Sequence, residues 1–199
     1  RAARSAASGA ALSACASAAS ATRARISGSS SSRWRDGTAR RTLTHSAPAN
    51  TDAQWSPDGS RISFTRNPAG DWTKAWIWSV ARDGAQLRRI ARGQFGRWSP
   101  DGGRLVVDAP TAASQGDIFV VDADGSNRRL VLASPALDQP AGWSPDGSRI
   151  LFTRFDGDGV GSSVCVVNVD GSGFRVLARG VAGSWSPDGT RIVFSKGSP

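Results

Sequence analysis

The sequence predicts an all-β protein, a β-propeller of four-stranded antiparallel blades, and three observations carry that prediction. The pentapeptide Trp-Ser-Pro-Asp-Gly occurs four times, beginning at Trp55, Trp98, Trp143 and Trp185. The copies lie 43, 45 and 42 residues apart, and a period of about 40–45 residues built from short strands marks a propeller blade. A second Asp-Gly follows the first three copies, at Asp83-Gly84, Asp124-Gly125 and Asp170-Gly171, with apolar runs before and after it.

Each unit then divides into strands A to D. Strand A ends at the Trp. Strand B opens with Arg and runs apolar: Arg61 to Phe64, Arg104 to Val107, Arg149 to Phe152 and Arg191 to Phe194. Strand C leads into the second Asp-Gly, as Ile77 to Val80, Ile118 to Val121 and Val164 to Val167. Strand D follows it, around Leu87 to Ile90, Arg128 to Val131 and Phe174 to Leu177. In the A–B turn, Pro presets φ, Asp bonds nearby backbone N–H groups, and Gly takes the left-handed conformation. The pentapeptide residues Trp55, Asp58, Gly59, Trp98, Asp101, Gly102, Trp143, Asp146, Gly147, Trp185, Asp188 and Gly189 are therefore assigned to the scaffold. Each Trp is expected to be buried between blades, because one repeat cannot bury its own faces.

The ends suggest a fourth blade. The last unit holds strands A and B only, whereas Asp36 to Leu43 matches a C–D turn and strand D. Three complete blades plus one composite of both termini would give about four. The rival is an incomplete ring or a fragment. The N-terminal strand C, Ser29 to Trp34, has Ser where other copies carry Ile, Phe and Val, and Ser is a poor strand former.

Residues 33–199 form the expected propeller domain, and 1–32 an Ala/Ser/Arg-rich tail expected to lack order. Leu12-Ser13-Ala14-Cys15 resembles a bacterial lipobox, which makes Cys15 a candidate lipidation position. No run is long enough to span a membrane as a helix. The formal charge of +9 is almost all Arg, spread one or two per strand. That dispersion argues against a nucleic-acid site and leaves an anionic polysaccharide or envelope surface as a weak, salt-sensitive attraction. His45 is the lone histidine and the Cys count is two, so neither a zinc site nor a catalytic triad is expected. No cofactor is expected either. Asp122 to Gly125 and Asp156 to Gly159 faintly resemble calcium loops but lack the following Glu.

The four Trp-Ser-Pro-Asp-Gly copies, their Arg-apolar runs and Asp122 to Asn127 resemble the TolB-type WD40-like (PD40) propeller repeat over residues 33–199. The resemblance implies a bacterial envelope or periplasmic setting, with protein docking as the role and no catalysis in this chain. Similar repeats also form substrate-gating propellers of prolyl-oligopeptidase-like hydrolases. A third alternative is a carbohydrate-binding or lyase-type propeller.

A binding face follows from strand direction. A–B and C–D turns share one end of the blades and repeat closely. D–A and B–C connections share the other end and vary, and variable loops on a rigid scaffold are where recognition resides. The B–C connections run over 66–75, 108–116 and 154–162. Asp71, Trp72 and Trp76 in or beside the first, and Phe155, Asp156 and Asp158 in the third, are the candidate binding residues, with a protein partner expected.

Overall fold

The computed structural model describes residues 31–32, 41–44, 50–68, 71–111, 116–157 and 161–196. The first blade is a sheet of β3 (Asn50–Trp55), β4 (Arg61–Arg66), β5 (Trp76–Ala81) and β6 (Arg88–Arg92). The second holds β7 (Gly96–Trp98), β8 (Arg104–Ala109), β9 (Asp117–Asp122) and β10 (Arg129–Leu132). The third holds β11 (Leu137–Trp143), β12 (Arg149–Phe155), β13 (Ser162–Asn168) and β14 (Arg175–Arg179). Every pair is antiparallel and joins neighbours in sequence, so strands A to D run in order across each blade. Two smaller sheets flank them: β1 (Ser31–Ser32) with β2 (Arg41–Thr42), and β15 (Val181–Trp185) with β16 (Ile192–Ser195).

The Ser-Pro-Asp-Gly turns are four copies of one hydrogen-bond pattern. In each, the Ser hydroxyl donates to the turn Asp and accepts from the Arg N–H that opens strand B, at 2.9 Å in all four. The Gly N–H returns to the Ser carbonyl at 2.9 Å. The four Gly φ angles are 68°, 70°, 69° and 70°, which only Gly adopts without strain. These hydrogen bonds to the charged form hold the turn carboxylates below their ordinary range, Asp58 and Asp146 down to about 2.

The blades stack by burying apolar residues between successive sheets. Trp143 of the third blade packs with Val106, Ile118 and Val120 of the second. Its indole N–H donates to the Arg97 carbonyl at 2.9 Å, and the Arg104 guanidinium lies 5.1 Å from its ring centre. Trp98 packs with Ile77, Ile90 and Ala91 of the first blade, without a hydrogen-bond partner for its indole N–H among the described residues. A second contact repeats further out. Gly84, Gly125 and Gly171 of the C–D turns sit against Leu43, Ile90 and Val131 of the preceding strand D, and a Cβ on Gly171 would fall 2.7 Å from the Val131 carbonyl oxygen. Arg129 crosses the same gap to the Val169 carbonyl at 2.8 Å, and Arg41 likewise reaches the Asp83 carbonyl.

Burial of all four pentapeptide tryptophans is corrected here. Trp98 and Trp143 are 8% and 7% exposed, but Trp55 is 51% exposed and Trp185 is half-buried. The cause is the neighbour. Trp98 and Trp143 each pack on a complete four-stranded blade before them, whereas only the two-stranded β1–β2 sheet precedes Trp55. Trp185 does rest against the third blade, with Arg149 at 4.7 Å from its ring.

The composite blade does not form as one sheet, and the incomplete ring is the arrangement seen. β15–β16 stacks on the third blade, whereas Leu43, just after β2, packs with Ile62, Phe64 and Val80 of the first. Both halves nevertheless keep blade register. Ser31 faces Thr42 and Ser32 faces Arg41, as Cys165 faces Val176 and Val166 faces Arg175 in the third blade. Ala182 faces Phe194 and Ser184 faces Val193, as Pro140 faces Phe152 and Gly142 faces Leu151. Cys165 itself is buried in the core, with its thiol pushed up to about 11 by that burial.

Candidate functional site

The candidate binding residues fall into two clusters, on the first and third blades, with the second blade between them. On the first, the chain leaves β4 and makes a single 3-10 turn over Trp72–Lys74 before β5. Asp71 caps that turn. Its carboxylate accepts from the Thr73 N–H at 3.1 Å and the Thr73 hydroxyl at 2.6 Å, and pairs with Lys74 at 2.9 Å. The Thr73 and Lys74 hydrogen bonds pull its pKa down to about 2. Trp72 is 38% exposed. The turn is tied to strand D by Arg92, which donates to the Thr73 carbonyl at 2.9 Å.

Trp76 opens β5 and is half-buried. Its ring lies under two guanidinium groups, Arg89 at 4.1 Å and Arg92 at 6.0 Å from the ring centre. It therefore serves as a platform for these two arginines. On the third blade, Phe155 closes β12 opposite Ser162. Asp156 follows it, with its N–H on the Gly161 carbonyl at 2.9 Å and its carboxylate on Arg179 at 2.8 Å. Asp158 lies outside the described residues, as do His45 and Cys15. The other calcium-like run is occupied by turn bonds: Asp122 accepts from the Asn127 amide at 2.7 Å, and Asp124 from Ser126 at 2.8 Å.

Sequence reasoning missed the buried charges at this end of the blades. Asp138 of β11 is fully buried and holds Arg154 of β12 through two 2.8 Å bonds. Burial raises the Asp138 pKa against the pull of Arg154. The first blade repeats the device with Asn50, whose side-chain oxygen accepts from Arg66 at 3.1 Å. Arg66 and Arg154 each stack over two aromatics, Phe64 and Trp78 or Phe152 and Phe174. A signal was available, since both stand five residues after the Arg that opens strand B. Asp108 of β8 is another buried carboxylate. Its Oδ1 accepts from the Gln94 and Phe95 N–H groups, while its Oδ2 has no protein partner among the described residues. Burial pushes its pKa up to about 6. Between the first two blades, Arg97 pairs with Asp52 at 2.6 Å. All of these groups brace strand ends and connections.

Stacked four-stranded blades with this turn and this Trp define a TolB-like β-propeller fold. No family profile matches the chain. Among solved structures it is similar to TolB from Acinetobacter baumannii, with a TM-score of 0.67 and 20% identity over 82% of this chain and 41% of that one. A TolB structure from Agrobacterium tumefaciens gives a TM-score of 0.64 and 23% identity, over 80% and 63% of the two chains. A Bacteroides ovatus structure described as a dipeptidyl aminopeptidase IV gives 0.60 and 10% identity, over 87% and 30%. Of curated relatives, an uncharacterized protein of Agrobacterium fabrum is 30% identical over 128 residues, 57% of this chain and 42% of that protein. The uncharacterized peptidase YuxL of Bacillus subtilis is 27% identical over 117 residues, 55% of this chain and 18% of that protein. The chain thus spans less than half the length of either curated relative. Among the described residues, no helix is long and apolar enough to cross a membrane.

Proposed function

We propose that the chain is a non-enzymatic, protein-binding propeller module of the bacterial cell envelope, with its recognition surface at the B–C end of the blades. One observation carries the reading. The A–B turns repeat almost atom for atom, whereas the B–C connections differ in every blade and place the exposed indole of Trp72 beside Asp71, Lys74 and Arg92. An exposed aromatic supplies contact area, and flanking charges fix orientation and register. The TolB likeness supports an envelope setting and a protein partner. The test is capture from envelope extract followed by titration of the identified partner. Trp72→Ala and Asp156→Ala should each weaken binding about tenfold or more, as loss of an interface anchor does, with the melting temperature unchanged. Loss of binding that maps to substitutions at the Ser-Pro-Asp-Gly end would refute the chosen face.

A second reading has its own support. The likeness to YuxL and to the dipeptidyl aminopeptidase fits a propeller that gates access to a hydrolase domain. A complete coding sequence with a downstream α/β-hydrolase segment carrying Ser, Asp and His would favour it. Peptidase activity of the encoded whole protein would then decide.

A further inference from the structure

We propose that Asp83-Gly84, the C–D turn of the first blade, is a site of spontaneous modification, where Asp isomerises to isoaspartate faster than at the other described A–B and C–D turns of the folded chain. This goes beyond the docking role above and does not depend on it. The reaction needs only the chain and water. The Gly84 amide nitrogen attacks the Asp83 carboxyl carbon. A C–N bond forms, a C–O bond breaks, and water leaves, made from the amide proton and the carboxyl hydroxyl. Water then opens the resulting succinimide ring. Opening at the original main-chain carbonyl leaves the backbone running through the side-chain carbon, one methylene longer and at unchanged mass.

The four A–B turns and the three described C–D turns can be compared because they share one backbone. In each, the Gly N–H donates to the carbonyl three residues before it, at 2.8 or 2.9 Å, and the Gly has a positive φ. The attacking nitrogen is therefore held alike throughout, and what differs is the hold on the carboxyl. Among the described residues, the Asp83 carboxylate accepts only from the Ala85 N–H, at 2.9 Å. Asp124 and Asp170 accept the same N–H bond and a second one from the hydroxyl of the donating residue, Ser126 at 2.6 Å and Ser172 at 2.7 Å. In the A–B turns the Ser before the Pro supplies the second bond in all four copies. The weak point is thus one side chain, Ala85, where the other two C–D turns carry Ser.

A hydroxyl bonded to a carboxylate is a short, charge-assisted contact. Attack requires the carboxyl carbon to swing to within about 3–3.5 Å of the Gly nitrogen, which breaks the bonds that hold it. The doubly held carboxylates lose two bonds on that path, and Asp83 loses one. The Ser hydroxyls also hold Asp124 and Asp170 below the ordinary carboxylate range, which depletes the protonated acid, the form that loses water. The product matters to the blade. The Ala81 N–H closes the turn on the Ala85 carbonyl at 2.9 Å, and the Arg82 N–H ties it to the Ser60 carbonyl of the A–B turn at 2.9 Å. An added methylene between Asp83 and Gly84 loosens both.

The test ages the folded wild-type chain beside Ala85→Ser and Ser126→Ala variants at mildly acidic pH. Isoaspartate at each turn is followed over time by fragmentation mass spectrometry of peptides. In wild type it should build up about fivefold faster or more at Asp83 than at the other turns, the factor that one hydrogen bond of this kind supplies. Ala85→Ser should bring Asp83 down to the rate of its counterparts, and Ser126→Ala should raise Asp124 to that of Asp83. In urea, where no turn is held, the rates should converge. An Asp83 rate no greater than those of Asp124 and Asp170 in folded wild type overturns the proposal, as does an Asp83 rate that Ala85→Ser leaves unchanged. An excess at Asp83 that persists in urea overturns it too, because it would then belong to the local sequence and not to the fold.

Discussion

At the residue scale, the Asp residues divide into two kinds with opposite electrostatics. The turn carboxylates, such as Asp58 and Asp146, are exposed and held low by hydrogen bonds from Ser and backbone donors. Asp108 is enclosed and held high by burial. A carboxyl that binds its proton more tightly when folded stabilises the fold fully below its unfolded pKa. That contribution is lost as pH rises through the folded value. For Asp108 the window runs from about pH 4 to about pH 6, and the effect is ~3 kcal/mol at most. Asp108→Asn keeps an acceptor for the Gln94 and Phe95 N–H groups and removes the titration. Wild-type urea midpoints should therefore fall relative to Asp108→Asn between pH 4 and pH 7. Parallel pH profiles for the two proteins would show that Asp108 ionises normally.

At the element scale, a blade is stable in proportion to what its neighbours cover. Trp98 and Trp143 each lie on a complete preceding blade, and Trp55 does not. In dilute protein, Trp98→Ala and Trp143→Ala should cost ~3–5 kcal/mol, and Trp55→Ala about 1–2 kcal/mol. Equal losses at all three would mean that Trp55 is covered after all. The same contrast explains what was legible in the sequence. Strand order, the A–B turn and the C–D turn are local chemistry, and Pro, Asp and Gly at fixed spacing specify them. Burial of a repeat position is not local, so Trp55 and Trp143 look identical in sequence yet differ in exposure. The candidate site was legible only as loops. Trp72 is exposed, but Trp76 carries Arg89 and Arg92 on its ring, a pairing set by the β5–β6 register. The buried Asp108 gave no pattern to read, because a single carboxylate in one strand carries no period, whereas the Asp138–Arg154 pair repeats the spacing of Asn50 and Arg66.

At the scale of the whole molecule, the chain is a run of three complete blades bounded by half-blades. Its likeness to TolB structures covers most of this chain and only part of theirs, as expected of an open arc. The arc accounts for the exposed apolar residues at one end, Val176, Leu177, Val193 and Phe194, where a complete propeller would place the next strands. Amide hydrogen exchange tests this directly, since protection reports local opening and unpaired edges exchange fast. The protein should show slow exchange across β8 and β12, flanked on both sides in their sheets. In β16, the amides on the side away from β15 should exchange fast. Protection across β16 equal to that of β12 would mean that its outer edge is paired, and would contradict the account.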